Sequence, residues 1–284
     1  YTLSYTLSLH DALPIFSTSA LALFPMENDW AKNHLQGKVK SVKTKSEGNP
    51  ALPDNDSVSY LDAFYNEQGF LTQEKEQGEF FDKENIIIRH YKYDSQNRLF
   101  EIQNENVTAS NPEMKFFSAF YRYLETKEGN GVMQFVEYVD KPDFTKPYQE
   151  KIYDKERRLL LSQEYDPQSK TASRIKKYEY KDGKLSKVCD VKESGSENEC
   201  ETYHYADDDS FIASSSGFGG YLVKNTFDKN HRLLKGEIFN GNKLIEWVTM
   251  EYKFDPHGNV IEEVVYNKNG VWKTKITHQY KYYE

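Results

Sequence analysis

The chain has 284 residues, a net charge of −8 and a hydrophobic fraction of only 37 %, yet 15 % of it is aromatic, with 22 Tyr and 17 Phe. The acidic balance, without a stripe of Lys and Arg, excludes a nucleic-acid binder that tracks phosphates. The absence of an apolar run of about 18 residues excludes a membrane-spanning helix. Disordered chains are poor in aromatic residues, so the composition points to a thin, layered or repetitive β structure built from amphipathic rings.

In chain order, residues 1–15 (YTLSYTLSLHDALPI) resemble the translated sequence of a short-read sequencing adapter, with Tyr1–Ser4 repeated as Tyr5–Ser8. Residues Phe16–Phe24 read as the tail of a secretory signal, with Ala20-Leu21-Ala22 as a cleavage-type site. This predicts an extracytoplasmic chain, in the periplasm, at the cell surface or secreted, whose mature part begins near Leu23. The rival is a cytoplasmic start at Met26. Residues 1–22 are therefore set apart from 23–56, which hold a short helix, a first strand and a loop, and from a repeat domain at 57–284.

Asn28 can cap a helix over Asp29–Gln36, with Gly37 just past its end. Lys38–Ser46 reads as a strand and Glu47–Asp56 as a loop. From Ser57 a two-ring frame recurs: Tyr91-Lys-Tyr93, Tyr121-Arg-Tyr123, Tyr178-Glu-Tyr180, Tyr203-His-Tyr205, Tyr252-Lys-Phe254 and Tyr280-Lys-Tyr282. Residues i and i+2 of a strand share a face, so each frame sets two rings on one side and a polar group on the other. Turn chemistry follows the second ring, as in Tyr93-Asp-Ser-Gln-Asn-Arg-Leu99, Tyr153-Asp-Lys-Glu-Arg-Arg-Leu159, Phe227-Asp-Lys-Asn-His-Arg-Leu233 and Phe254-Asp-Pro-His-Gly-Asn-Val260. The leading Asp accepts hydrogen bonds from amides further round the turn, and the anchors recur at multiples of roughly 22–30 residues, the mark of a repeat architecture.

These units resemble YD repeats, the tyrosine-aspartate repeats also found in RHS-type proteins, and more closely the small exported bacterial proteins that begin with a segment like Leu35–Lys43. The likeness covers roughly residues 28–284, with 105–148 irregular. It implies an extended antiparallel sheet that winds on itself. The expected fold is thus all-β: tandem hairpin repeats in an extended, twisted or self-winding sheet, solenoid-like or open-barrel-like, with one short N-terminal helix. Tyr280-Lys-Tyr282 opens a unit whose turn does not follow, so the array either closes on itself there or is cut.

Few residues invite chemistry. Cys189 and Cys200 flank a turn centred on Ser194-Gly195, and equal steps place them opposite each other, as a disulfide in an exported chain or as two buried thiols. Asp255-Pro-His-Gly258 resembles the DPxG element of the RHS core but occupies the ordinary turn slot. Asp207-Asp-Asp209 could hold calcium but lacks the spacing of a known loop, and reads as a solvated turn. Ser214–Gly220 matches neither a P-loop nor G-x-S-x-G. No cofactor or metal is expected. The leading expectation is a non-catalytic binding or structural module for a protein or carbohydrate ligand, with Trp247, Trp272, Tyr203 and Tyr205 as ligand-stacking rings. The alternatives are a hydrolase using paired carboxylates on the concave face, or a toxin-associated, immunity-like partner.

Overall fold

The computed structural model describes residues 28–52, 57–80, 83–108, 116–125, 129–137, 147–166, 171–192, 194–216 and 220–284. The adapter-like run, the leader-like run and the expected start near Leu23 fall outside the described residues. One helical turn, α1 (Asp29–Lys32), precedes the strands β1 (Val39–Gly48), β2 (Val58–Tyr65), β3 (Leu71–Phe80), β4 (Lys83–Tyr93), β5 (Leu99–Asn106) and β6 (Phe116–Glu125). Then come β7 (Gly129–Glu137), β8 (Gln149–Asp154), β9 (Leu159–Tyr165), β10 (Ala172–Lys181), β11 (Lys184–Val191) and β12 (Glu197–Tyr205). The last six are β13 (Phe211–Ser216), β14 (Tyr221–Phe227), β15 (Leu233–Asn240), β16 (Lys243–Phe254), β17 (Val260–Asn267) and β18 (Trp272–Tyr282).

Each strand pairs antiparallel with the next in sequence, and β18 pairs back onto β1. The sheet is therefore a closed, 18-stranded up-and-down barrel. This corrects the expected extended, solenoid-like or open sheet, although the all-β class holds. The physical reason is the first strand. Val42 lies opposite Tyr280, Thr44 opposite His278 and Ser46 opposite Ile276, while the other edge of β1 pairs with β2. A last strand with exposed N–H and C=O groups is a liability, and full closure removes both edges at once.

The even-numbered strands all run towards one rim, and β4, β6, β10, β12, β16 and β18 carry their paired rings there. Val42, Ala63, Leu71, Leu159, Leu185, Phe211, Phe227 and Ile276 are buried and lie in step with those rings. That face is the inner wall. The segment 28–37 packs on it and reaches the turns after β2, β14 and β16, although the wall separates the first two by six strands (β2, β1, β18, β17, β16 and β15). Such a reach follows a chord across the inside of the rim.

Five of the rim turns repeat one device. Asp94, Asp154, Asp228, Asp255 and Asn66 accept the amide four residues on through one side-chain oxygen. The fourth turn residue takes positive φ in every case: Gly69, Asn97, Arg157, His231 and Gly258. This is a type I turn closed by a left-handed residue, a common hairpin loop. The other oxygen of Asp94, Asp154 and Asp228 holds the Nε of Arg98, Arg158 and Arg232 at 2.6–2.8 Å. Those guanidiniums then cover Tyr123, Tyr180 and Phe254 of the next even strand at 4.6–5.1 Å. Finally, Tyr93, Tyr123, Tyr180, Tyr252 and Tyr280 donate to the carbonyls of Leu71, Leu99, Leu159, Leu233 and Val260, the first residues of the preceding strands, at 2.7–3.0 Å. A buried phenol needs a partner, and these carbonyls supply it. Burial pushes Tyr121, Tyr178 and Tyr180 up to about 12.

α1 is shorter than the expected Asp29–Gln36. Asn28 caps it, accepting from Ala31 N at 3.0 Å, but His34 enters the left-handed region at φ 53°. His34 N bonds Ala31 O and Leu35 N bonds Trp30 O, the two bonds of a Schellman ending. Trp30 and Leu35 thereby pack together on Val39, Val42, Ala63, Tyr65 and Leu71.

Candidate functional site

The sheet geometry assembles a polar groove on the outer wall, where β18, β1, β2 and β3 meet. Two adjacent rows of side chains cross these four strands. Gln279, Lys43, Asp62 and Lys75 form one row, and Thr277, Lys45, Tyr60 and Gln77 the other. They bound a cavity of about 570 Å3. Every lining position is out of step with the inner rings, apart from the intervening Thr44.

Three ammonium groups face one carboxylate within the lining, in a chain whose net charge is −8. Lys43 Nζ stands 3.8 Å from Asp62, longer than a hydrogen bond. Lys45 holds Glu47 at 2.5 Å, and that bond raises its pKa. Tyr60 is 45 % exposed and lines the groove. The groove therefore offers a flat aromatic platform, amide and hydroxyl groups, and positive charge. One lining hydroxyl, that of Thr44, is paired with an imidazole, the ring of His278 on the inner face.

The inner wall carries charge as well. Arg89 lies 3.8 Å from Glu74 and 2.8 Å from Glu76, while Tyr91 donates to Glu74. Across the seam, Thr44 Oγ1 lies 2.9 Å from His278 Nδ1, and His278 Nε2 lies 3.2 Å from Glu263 Oε1. Glu263 is 5 % exposed. This Thr–His–Glu chain ties β1, β18 and β17 together. Its signal in the sequence was the position of His278 two residues before Tyr280, on the ring face.

The four rings proposed from the sequence do not come together. Tyr203 is 6 % exposed on the inner face of β12 and donates to Glu201. Tyr205 lies beneath the ammonium of Lys184. Trp247 sits in β16 opposite Glu237, and Trp272 opens β18 opposite Tyr266. Cys189 and Cys200 form a disulfide across β11 and β12. Among the described residues, one group of three metal-type ligands is found, Cys189, Glu197 and Cys200, and its sulfurs are bonded to each other. In the acidic turn, Asp208 accepts from Ser210, which lowers its pKa, and Asp209 pairs with Lys184.

No family model matches the chain, and no curated protein matches it. Among solved structures it is similar to a porin-like protein from Bacteroides uniformis ATCC 8492, with a TM-score of 0.45 and 10 % identity over 87 % of this chain and 98 % of that one. It is also similar to the Tc holotoxin pore of Photorhabdus luminescens, with a TM-score of 0.30 and 8 % identity over 77 % of this chain and 14 % of that one. Neither likeness is close enough to bear on function. The all-β fold rests on the strand pairings, and the YD likeness stays a likeness of repeat units.

Proposed function

We propose that this protein is an extracytoplasmic, non-catalytic barrel that binds a hydroxyl-rich ligand, a carbohydrate chain, in the seam groove. The observation that carries the reading is the groove's lining. An exposed ring flanked by amide, hydroxyl and ammonium groups suits sugar faces and hydroxyls, and lacks the deep apolar pocket of an enzyme site.

The outer wall also argues against a lipid-facing barrel. Such a barrel needs an apolar outer band about 25 Å tall. Here β18, β1 and β3 present Lys275, Thr277, Gln279, Lys43, Lys45, Glu47, Gln73, Lys75 and Gln77 outwards. No helix among the described residues is long and apolar enough to cross a membrane either.

The test is a glycan array with the chain from about Glu27, followed by calorimetric titration of the best ligand. Tyr60→Ala, and separately Lys43→Ala with Lys75→Ala, are expected to weaken binding by about tenfold or more, as loss of a central contact does. A folded chain that binds no glycan, or that binds equally well after these substitutions, contradicts the reading.

A further inference from the structure

Among the described residues, two buried side-chain polar atoms have no hydrogen-bond partner: Nε2 of His34 and Nδ1 of His231. They belong to neighbouring rings. The centroids are 5.7 Å apart and the planes within 8° of parallel, and Phe211 packs against His231 at 5.2 Å. The two histidines come from different parts of the barrel. His34 ends the α1 turn, and His231 occupies the left-handed position of the β14–β15 turn, at φ 62°. An orphaned polar atom in a native fold calls for an explanation, and two in contact call for a shared one.

We propose that His34 and His231 form a proton-operated clasp that holds the segment 28–37 across the rim of the barrel while the His231 ring is neutral. A neutral imidazole can be left without a partner at modest cost, but a buried imidazolium without an acceptor is expensive, and a second positive ring beside it adds repulsion. Burial and the neighbouring His34 hold His231 below its ordinary value.

The charged groups around the pair do not cancel this. Asp228, on the His231 turn, is the one carboxylate that favours its protonation, and that carboxylate is already held by Arg232 and by the amides of Asn230 and Arg232. Lys229 adds positive charge to the same turn. On the segment side, Asp29 is engaged by Lys32, Tyr93 and Leu71 N. On the β16–β17 turn, Asp255 accepts from Tyr282, and His257 stacks on that same ring at 4.1 Å. No carboxylate in this set is free to receive a proton from either clasp nitrogen. Protonation of His231 therefore favours withdrawal of His34 and its segment, which opens the charged ring to water.

The test uses Trp30 as reporter, in a full chain carrying Trp247→Phe and Trp272→Phe. Trp30 donates to Val39 O at 2.8 Å and packs beside Gly69, so release of the segment exposes it. Between pH 7.5 and 5, Trp30 emission is expected to shift to the red while the far-ultraviolet β signal stays constant. In His34→Phe with His231→Phe, the shift is expected to vanish. Should that variant misfold, imidazole NMR titration of the unsubstituted chain provides the second reading, with His231 expected to titrate below the ordinary imidazole value of about 6.5. Unchanged Trp30 emission, the same red shift in the double variant, or a His231 that titrates at or above the ordinary imidazole value would each overturn the clasp.

Discussion

Asp154 shows what one turn residue contributes. It is 8 % exposed, and its two oxygens take Arg158 N at 2.8 Å and Arg158 Nε at 2.7 Å. Replacing it with Ala strands the amide and the guanidinium that covers Tyr180. Charge-assisted bonds of this kind contribute about 1.5–3 kcal/mol, so Asp154→Ala is expected to lower unfolding free energy by about 2 kcal/mol in denaturant titration. Exposed Asp207 shares the same rim, and Asp207→Ala is expected to stay within about 0.5 kcal/mol. Equal effects would mean that the Asx–Arg–ring device is ornamental. The same reasoning applies to the phenol. Tyr252→Phe keeps the ring and leaves Leu233 O unpaired, which is expected to cost about 1 kcal/mol.

At the scale of elements, the hairpins and the segment that crosses them respond to different conditions. The β11–β12 hairpin is closed by Cys189–Cys200, eleven residues apart, and the chain-entropy relation gives about 3 kcal/mol for a loop of that size. Reduction is expected to lower the melting temperature, and Cys189→Ser with Cys200→Ser to abolish the difference between reducing and oxidising buffer. The α1 segment answers to pH. His231 has a lowered pKa in the folded chain, so the unfolded chain binds more protons. Its contribution is complete above the ordinary imidazole value of about 6.5 and is lost as pH falls below it. Stability is thus expected to drop between pH 7 and 5, and His231→Phe to flatten that slope. A slope that survives the substitution belongs to other groups.

At the scale of the molecule, the units were legible, while their closure stood only as one of two alternatives after Tyr280-Lys-Tyr282. A ring followed by Asp and, five residues after the Asp, by Leu or Val is a local pattern, and it marks the strand ends at Tyr93, Tyr153, Phe227 and Phe254 because ring, Asx oxygen and left-handed residue all act within one turn. Pairing of β1 with β18 joins residues more than two hundred positions apart, and nothing local in Val39–Gly48 announces a second partner. The groove was hidden for the same reason. Lys43, Lys45, Asp62 and Lys75 are ordinary outward residues of separate strands, and they share a site only once the ring closes. Aromatic content drew attention to Tyr203 instead, where the phenol turns inward to Glu201. His34 and His231 were equally silent, being a helix end and a turn position in sequence.

Closure of β18 onto β1 is what both the groove and the clasp depend on, and it can be measured directly. Spin labels at Lys43 and Gln279 sit on directly paired positions of the seam. Pulsed dipolar spectroscopy is expected to report a separation on the order of 10 Å, since cross-strand neighbours lie about 5 Å apart at Cβ and the labels add their own length. An open array of the same strands, spaced at about 4.8 Å, would set β1 and β18 roughly 80 Å apart. A distance near that larger value would contradict the closed barrel and the site built on it.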